Sequence, residues 1–153
     1  RPMSSFEVTR SATIAADPAR VHDLVDDFHA WPAWSPWEGL DPAMTRSYSG
    51  PDRGVGAHYA WSGNRKAGEG SMEITASTPE QIDVALVFLK PWKATNDVTF
   101  TITPRDGGSE VEWRMTGEHS GLSALFAKLV SMDRLVGKDF AKGLAALKIA
   151  AEA

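Results

Sequence analysis

The feature that most constrains this chain is one long helical stripe placed after a run of alternating segments. Leu122, Leu125, Phe126, Leu129, Met132, Val136, Phe140, Leu144 and Leu147 recur at helical spacing, which predicts a helix over about 122–151. Gly137 and Gly143 interrupt the stripe, and a break is expected near 131–133. Upstream, strand patterns occupy about 44–50, 55–62, 68–78, 81–89, 94–104 and 109–118. Gly63-Asn64, Thr78-Pro79 and Asp106-Gly107-Gly108 supply turns between them. Neighbouring strands joined by short turns make an antiparallel meander. Ile82, Val84, Leu86 and Phe88 share one parity, as do Asn96, Val98, Phe100 and Ile102, and Val111, Trp113 and Met115. Tyr59 and Trp61 share a face, and so do Met72 and Ile74. A sheet that is apolar on one side buries one face, and the terminal helix is the element long enough to cover it.

The N-terminal quarter adds one strand and two short helices. Phe6, Val8, Ala12 and Ile14 alternate with Glu7, Thr9, Ser11 and Thr13, so the strand has a buried parity, on which Arg10 also falls. Asp17-Pro18 reads as an N-cap followed by proline at the first helical position, and Val21, Leu24, Val25 and Phe28 continue a helix over 18–29. In the run Trp31-Pro-Ala-Trp34-Ser-Pro-Trp37-Glu38 two prolines prevent a long helix, leaving a short helix or turn with Trp34 and Trp37 on one side. The fold class is therefore α+β, with a curved antiparallel sheet of about seven strands around a long C-terminal helix.

The 153 residues suit one domain, taken as 3–153, with Arg1 and Pro2 read as a tag remnant. Cysteine is absent, which excludes disulfides, thiolate catalysis and iron–sulfur chemistry. The net charge of −4 disfavours nucleic acid as a partner. No run approaches the ~20 apolar residues of a membrane span, so no stable membrane insertion is expected, and a cytoplasmic location follows. The six tryptophans must fill a core or line a cavity. Glycines at 54, 56, 68 and 70 suit kinks that curve a sheet, and those at 137 and 143 remove volume from the helix. Such a layout can enclose an apolar cavity. A solid core of the same residues is the alternative, and composition leaves both open.

The Trp31–Glu38 run, the stretch Phe88-Leu-Lys-Pro-Trp92-Lys-Ala-Thr-Asn96 and the segment from Met132 to Lys148 resemble the polyketide cyclase/dehydrase and lipid-transport family. That family belongs to the START-like (birch-pollen-allergen-like, SRPBCC) helix-grip superfamily. The resemblance implies a cavity between sheet and C-terminal helix. Its candidate wall is Trp34, Trp37, Tyr59, Trp61, Met72, Phe88, Trp92, Phe100, Trp113, Met115, Met132 and Phe140, some of which will be core beneath the cavity floor.

Polar candidates are few. Arg10 is a candidate anchor for a carboxylate or enolate, or else a snorkelling strand arginine. Asn96 can orient a ligand carbonyl, or bond backbone in the turn at 90–93. Glu38 is a candidate base or a surface cap. His22, Asp26 and His29 share a helix face about 120° from the apolar stripe, which points that face to solvent and argues against a metal. His58 and His119 have no evident Ser–Asp partners. Nucleophile-elbow, P-loop and dinucleotide signatures are missing.

The expected function is capture of a small hydrophobic or aromatic molecule, lipid-like or polyketide-like, as a carrier or sensor. A cyclase/dehydratase using the same cavity, without metal, nucleotide or other cofactor, is the alternative. An interaction module resembling chaperone-activating helix-grip domains is the third reading. A monomer or weak homodimer is expected.

Overall fold

The computed structural model describes residues 5–37, 41, 43–65, 67–90, 93–118 and 132–153. Strand β1 (Ser5–Ile14) leads to helix α1 (Pro18–Val25) and a single 3-10 turn at Trp31–Ala33. Six strands follow: β2 (Thr45–Ser49), β3 (His58–Ser62), β4 (Glu69–Thr78), β5 (Gln81–Lys90), β6 (Ala94–Arg105) and β7 (Gly108–Glu118). Helix α2 (Met132–Glu152) ends the chain. The upstream part of the expected long helix, Ser131 of the break expected near 131–133, Glu38, Trp92 and His119 lie outside the described residues, as do the side chain of Met132 and the N-terminal remnant, whereas Met132 and Asp133 already belong to α2.

All seven strands form one antiparallel sheet in the order β1-β7-β6-β5-β4-β3-β2. The meander from β2 to β7 needs only short turns, and β1 adds to its far edge beside β7. Register shifts in β4, at Glu69/Gly70 and Ile74/Ala76, are the irregularities that bend a strand. Gly70 stands at the first, as its position in the strand suggested. Gly54 and Gly56 instead sit in the β2–β3 loop with positive φ, so they shape a loop and not the sheet.

Helix α2 buries Phe140, Leu144, Leu147 and Ala151, a stripe at i, i+4, i+7 and i+11 laid mainly on β1. Its C-terminal end is tied to the first turn of the chain. The Glu152 carboxylate accepts the Ala15 N–H (2.7 Å), and Arg20 donates to the Ala150 carbonyl (3.1 Å).

Helix α1 is shorter than its apolar spacing suggests. It stops at Val25, and Asp26 closes it by donating its backbone N–H to the His22 carbonyl (2.8 Å). Asp17 takes the N-cap position but makes no side-chain cap bond; its carbonyl accepts the Arg20 and Val21 N–H groups. Phe28 is still buried, from the turn after the helix. Two tryptophans complete the C-terminus of α1: the indole N–H of Trp31 donates to the Val25 carbonyl (2.8 Å) and that of Trp34 to the Leu24 carbonyl (2.9 Å). Helix ends leave such carbonyls without intrahelical partners, so the tryptophan run acts as a cap for α1.

Candidate functional site

The strand registers arrange the inner face of the sheet in rows. One row reads Arg10, Trp113, Phe100, Ile82 and Ser77 from β1 to β4. The next is Val8, Met115, Val98, Val84 and Ile74. A third is Phe6, Gly117, Asn96, Leu86, Met72 and Tyr59. The fourth is Ala94, Phe88, Gly70 and Trp61.

Burial changes along these rows. Phe100, Trp113, Val8 and Ile74 are closed to solvent, whereas Phe6, Met72, Phe88 and Trp61 are half-buried. The inner face thus has a sealed part and a more open end, where β5 finishes and β6 begins.

In the sealed part, aromatic rings meet each other. Trp113 lies parallel to Phe140 (4.1 Å between centroids, 9°) and close to Phe100 (4.9 Å, 32°). Trp34 meets Phe100 and Trp113 edge-on, at 5.9 and 5.5 Å. Trp37 meets Trp113 edge-on at 5.8 Å and donates its indole N–H to Asp139 (3.3 Å).

The helix glycines admit these groups and so do not open space. A Cβ on Gly143 would stand 2.8 Å from Trp113 Cζ3 and 2.9 Å from Pro36 Cδ. A Cβ on Gly137 would stand 2.2 Å from Arg10 Nη2. Arg10 therefore lies across α2 at Gly137, half-buried, with Nη1 donating to the Thr9 carbonyl (2.8 Å). One polar atom in the sealed part is unmatched. The buried Trp113 indole N–H has no hydrogen-bond partner among the described residues, a condition that costs about 1–3 kcal/mol.

At the open end the residues are Phe6, Leu86, Met72, Phe88, Tyr59 and Trp61, with Asn96 in their midst. Trp61 stacks on Tyr59 (6.0 Å, 20°) and meets Phe88 edge-on (5.9 Å, 86°). The Trp61 indole N–H is held by the Ala67 carbonyl (2.8 Å), which fixes the ring. Glycines keep the floor low: a Cβ on Gly117 would stand 2.2 Å from Asn96 Oδ1 and 2.8 Å from the Phe6 ring, and one on Gly70 would strike Trp61. Asn96 is 5% exposed, a polar amide set among these apolar side chains. Asn96 was expected on the inward parity; Phe6, Leu86 and Gly117, its row neighbours, were not singled out as site residues. The parity of β1 and β5 carried a signal for Phe6 and Leu86, but only register brings them beside Asn96.

The polar face of α1 overturns an expectation. Asp26 is buried at 5% exposure instead of facing solvent. The Ser77 hydroxyl donates to its Oδ1 (2.7 Å), Arg53 Nε donates to its Oδ2 (3.3 Å), and His22 Nε2 lies 3.2 Å from Ser77 Oγ. Arg53 also pairs with Asp23 (2.6 Å). The hydrogen bond to Asp23, with a smaller one to Asp26, holds the Arg53 guanidinium above its ordinary pKa against the opposing effect of burial. Because a carboxylate only accepts, the Ser77 proton points at Asp26, and His22 must be the donor to Ser77. This is a structural tether between α1, β4 and the β2–β3 loop, with the hydroxyl proton turned away from the imidazole that would activate it. No group of three or more His, Asp or Glu side chains able to hold a metal occurs among the described residues, and no helix there is long and apolar enough to cross a membrane.

The sequence matches the family described as polyketide cyclase / dehydrase and lipid transport over residues 5–152. No curated protein matches it in sequence. Among solved structures, protein CV1439 from Chromobacterium violaceum is similar with a TM-score of 0.69 at 15% identity, covering 96% of this chain and 97% of that one. Ara h 8.0201 is similar with a TM-score of 0.63 at 15% identity, covering 97% and 96%. The Aha1 dimer from Colwellia psychrerythraea gives 0.59 at 15% identity, covering 95% and 98%. At these identities the likeness is one of fold, and it agrees with the helix-grip arrangement of sheet and terminal helix.

Proposed function

The chain belongs to the polyketide cyclase/dehydrase and lipid transport family, and from that premise we propose that it binds a small hydrophobic or aromatic molecule on the open end of its inner sheet face. The observation that supports this reading best is Asn96. Placing a polar amide in an apolar setting is costly, and this one sits among Phe6, Leu86 and Met72. Such a group is useful when it orients a guest through a hydrogen bond. The half-buried Phe88, Trp61 and Met72 give the guest apolar contact, worth about 25 cal/mol per Å² removed from water. Trp34, Phe100, Trp113 and Phe140 then act as the packed floor, and Met115 and Val98 join floor to mouth. Arg10, across Gly137, is the cationic group for an acidic end of a longer ligand.

A cyclase or dehydratase role has less behind it. His22 and Asp26 belong to α1 and its C-cap, and the serine that bridges them, Ser77, lies two rows from Asn96 with its hydroxyl turned to the carboxylate. A carrier or sensor, monomeric or weakly dimeric, is the reading we favour.

Native mass spectrometry of protein purified from its own host tests this directly. A retained apolar molecule of constant mass is expected, and its occupancy should fall in Trp61→Ala. Protein that is empty in every preparation and takes up nothing from lipid and aromatic polyketide panels would overturn the proposal.

A further inference from the structure

Helix α2 carries two stripes of the same spacing. Phe140, Leu144, Leu147 and Ala151, at i, i+4, i+7 and i+11, are the buried one. Lys138, Lys142, Ala145 and Ile149 repeat that spacing. At about 100° per residue they fall within an arc of about 60° on the far side of the helix, along a strip about 16 Å long. All four are exposed, and Ile149, at 73%, is the most open large apolar side chain among the described residues. A lone exposed isoleucine is ordinary. This one ends a line of two lysines, with only the methyl group of Ala145 between, so the strip is flat, cationic along its length and apolar at its tip.

The carboxylates described on the same helix are engaged elsewhere. Asp139 accepts the Trp37 indole N–H (3.3 Å). Glu152 is held by Lys148 and by the Ala15 N–H (2.7 Å). Arg20 reaches across from α1 to the Ala150 carbonyl (3.1 Å) and brings a further cation to the C-terminal end of α2.

The outside of the sheet has the opposite sign. Register sets Glu7, Glu73, Asp83, Asp97, Glu110 and Glu112 on it. Arg105 and Arg114 on the same face pair with Glu110 (2.7 Å) and Glu7. The net charge of −4 is therefore unevenly spread, with carboxylates behind the sheet and cations along the outside of α2. Salt screens charges over about 8 Å at physiological ionic strength, and a helix is about 10 Å across. A surface touching α2 thus feels the lysines more than the carboxylates behind the sheet.

We propose that this strip docks the protein on an anionic lipid surface, with Lys138 and Lys142 among the headgroups and Ile149 entering the acyl boundary. This is peripheral contact, which asks far less of a helix than a span does. A second copy of the chain is a poorer occupant, since its own strip would set lysine against lysine. Docking needs no guest on the inner sheet face, so it is decided apart from the binding proposal.

Co-sedimentation of the whole protein with vesicles tests it, using phosphatidylcholine alone and phosphatidylcholine mixed equally with phosphatidylserine. Binding to the mixed vesicles at low salt is expected, released by added salt and absent from the neutral vesicles. Lys138→Gln together with Lys142→Gln should weaken it about 25-fold, a factor of about five for each lysine at such a surface. Ile149→Ser should weaken it about tenfold. The three positions are exposed, so the variants should remain folded, which circular dichroism checks. Equal binding to the two vesicles, binding unchanged in the lysine variant or in Ile149→Ser, or none at low salt would each overturn the proposal. Self-association of the protein that the lysine variant abolishes would also overturn it. So would equally tight retention by duplex DNA, which offers phosphate charge without an apolar layer.

Discussion

Trp113 and Phe140 lie face to face, 4.1 Å apart and 9° from parallel, and this pair joins the sheet to the terminal helix. Trp34, Trp37 and Phe100 pack around Trp113, and Gly143 is the gap in α2 against which both its ring and Pro36 lie. Trp113→Ala is therefore expected to cost about 3–5 kcal/mol of unfolding free energy, in the range for a fully buried aromatic. Chemical denaturation checks it. A loss below about 1 kcal/mol would show that the ring is not part of the packed floor.

Asp26 is the hub between α1, β4 and the β2–β3 loop. Its removal takes from the Ser77 hydroxyl its carboxylate acceptor and from Arg53 one of its two carboxylate partners. Arg53 keeps Asp23 and is half-exposed, so the penalty lies below that of a fully buried pair. Asp26→Ala should cost about 2–3 kcal/mol, and Ser77→Ala combined with it should add little, because both remove one network. Thermal denaturation of the single and double variants decides this.

Acid should loosen the junction between the chain's two ends. The Lys148 ammonium and then the Ala15 N–H hold the Glu152 carboxylate below its ordinary pKa. A depressed folded pKa stabilises above the unfolded value and is lost as pH falls through the folded one. Exchange of the Ala15 amide hydrogen should thus accelerate on the acid side of the ordinary glutamate range. Glu152→Gln should remove that pH-dependent part. An Ala15 profile identical in wild type and variant would show that the contact does not persist in solution.

Much of this architecture is written in local pattern. One-sided alternation specifies strands and their buried faces, Gly-Asn and Asp-Gly mark turns, and the last helix declares itself by its period. What pattern cannot carry is register and long-range packing. A helical wheel sends Asp26 to solvent, because it knows nothing of Ser77 or of Arg53 folding back from a loop 27 residues on. Gly137 and Gly143 look like openings until Arg10 and Trp113 are found in them. Asn96 is legible as inward-facing, but that its amide stands beside Gly117 and Phe6 depends on how three strands pair.

Asn96 also gives the sharpest separation of stability from function. Leucine has as many side-chain heavy atoms as asparagine, and it replaces a buried polar amide by an apolar group in an apolar setting. The folded protein should gain about 1 kcal/mol, since a polar group inside an apolar setting is a standing cost. A guest that bonds this amide should lose about tenfold in affinity, while a hydrocarbon guest of the same size should lose nothing. Opposite signs for stability and binding are what a ligand-facing residue produces, because functional groups are kept despite their cost to the fold. Denaturation together with titration of a matched pair, dodecanol against dodecane, measures both. If Asn96→Leu destabilises the protein and affects the two guests alike, Asn96 serves the fold, and ligand orientation must come from Arg10 or Tyr59.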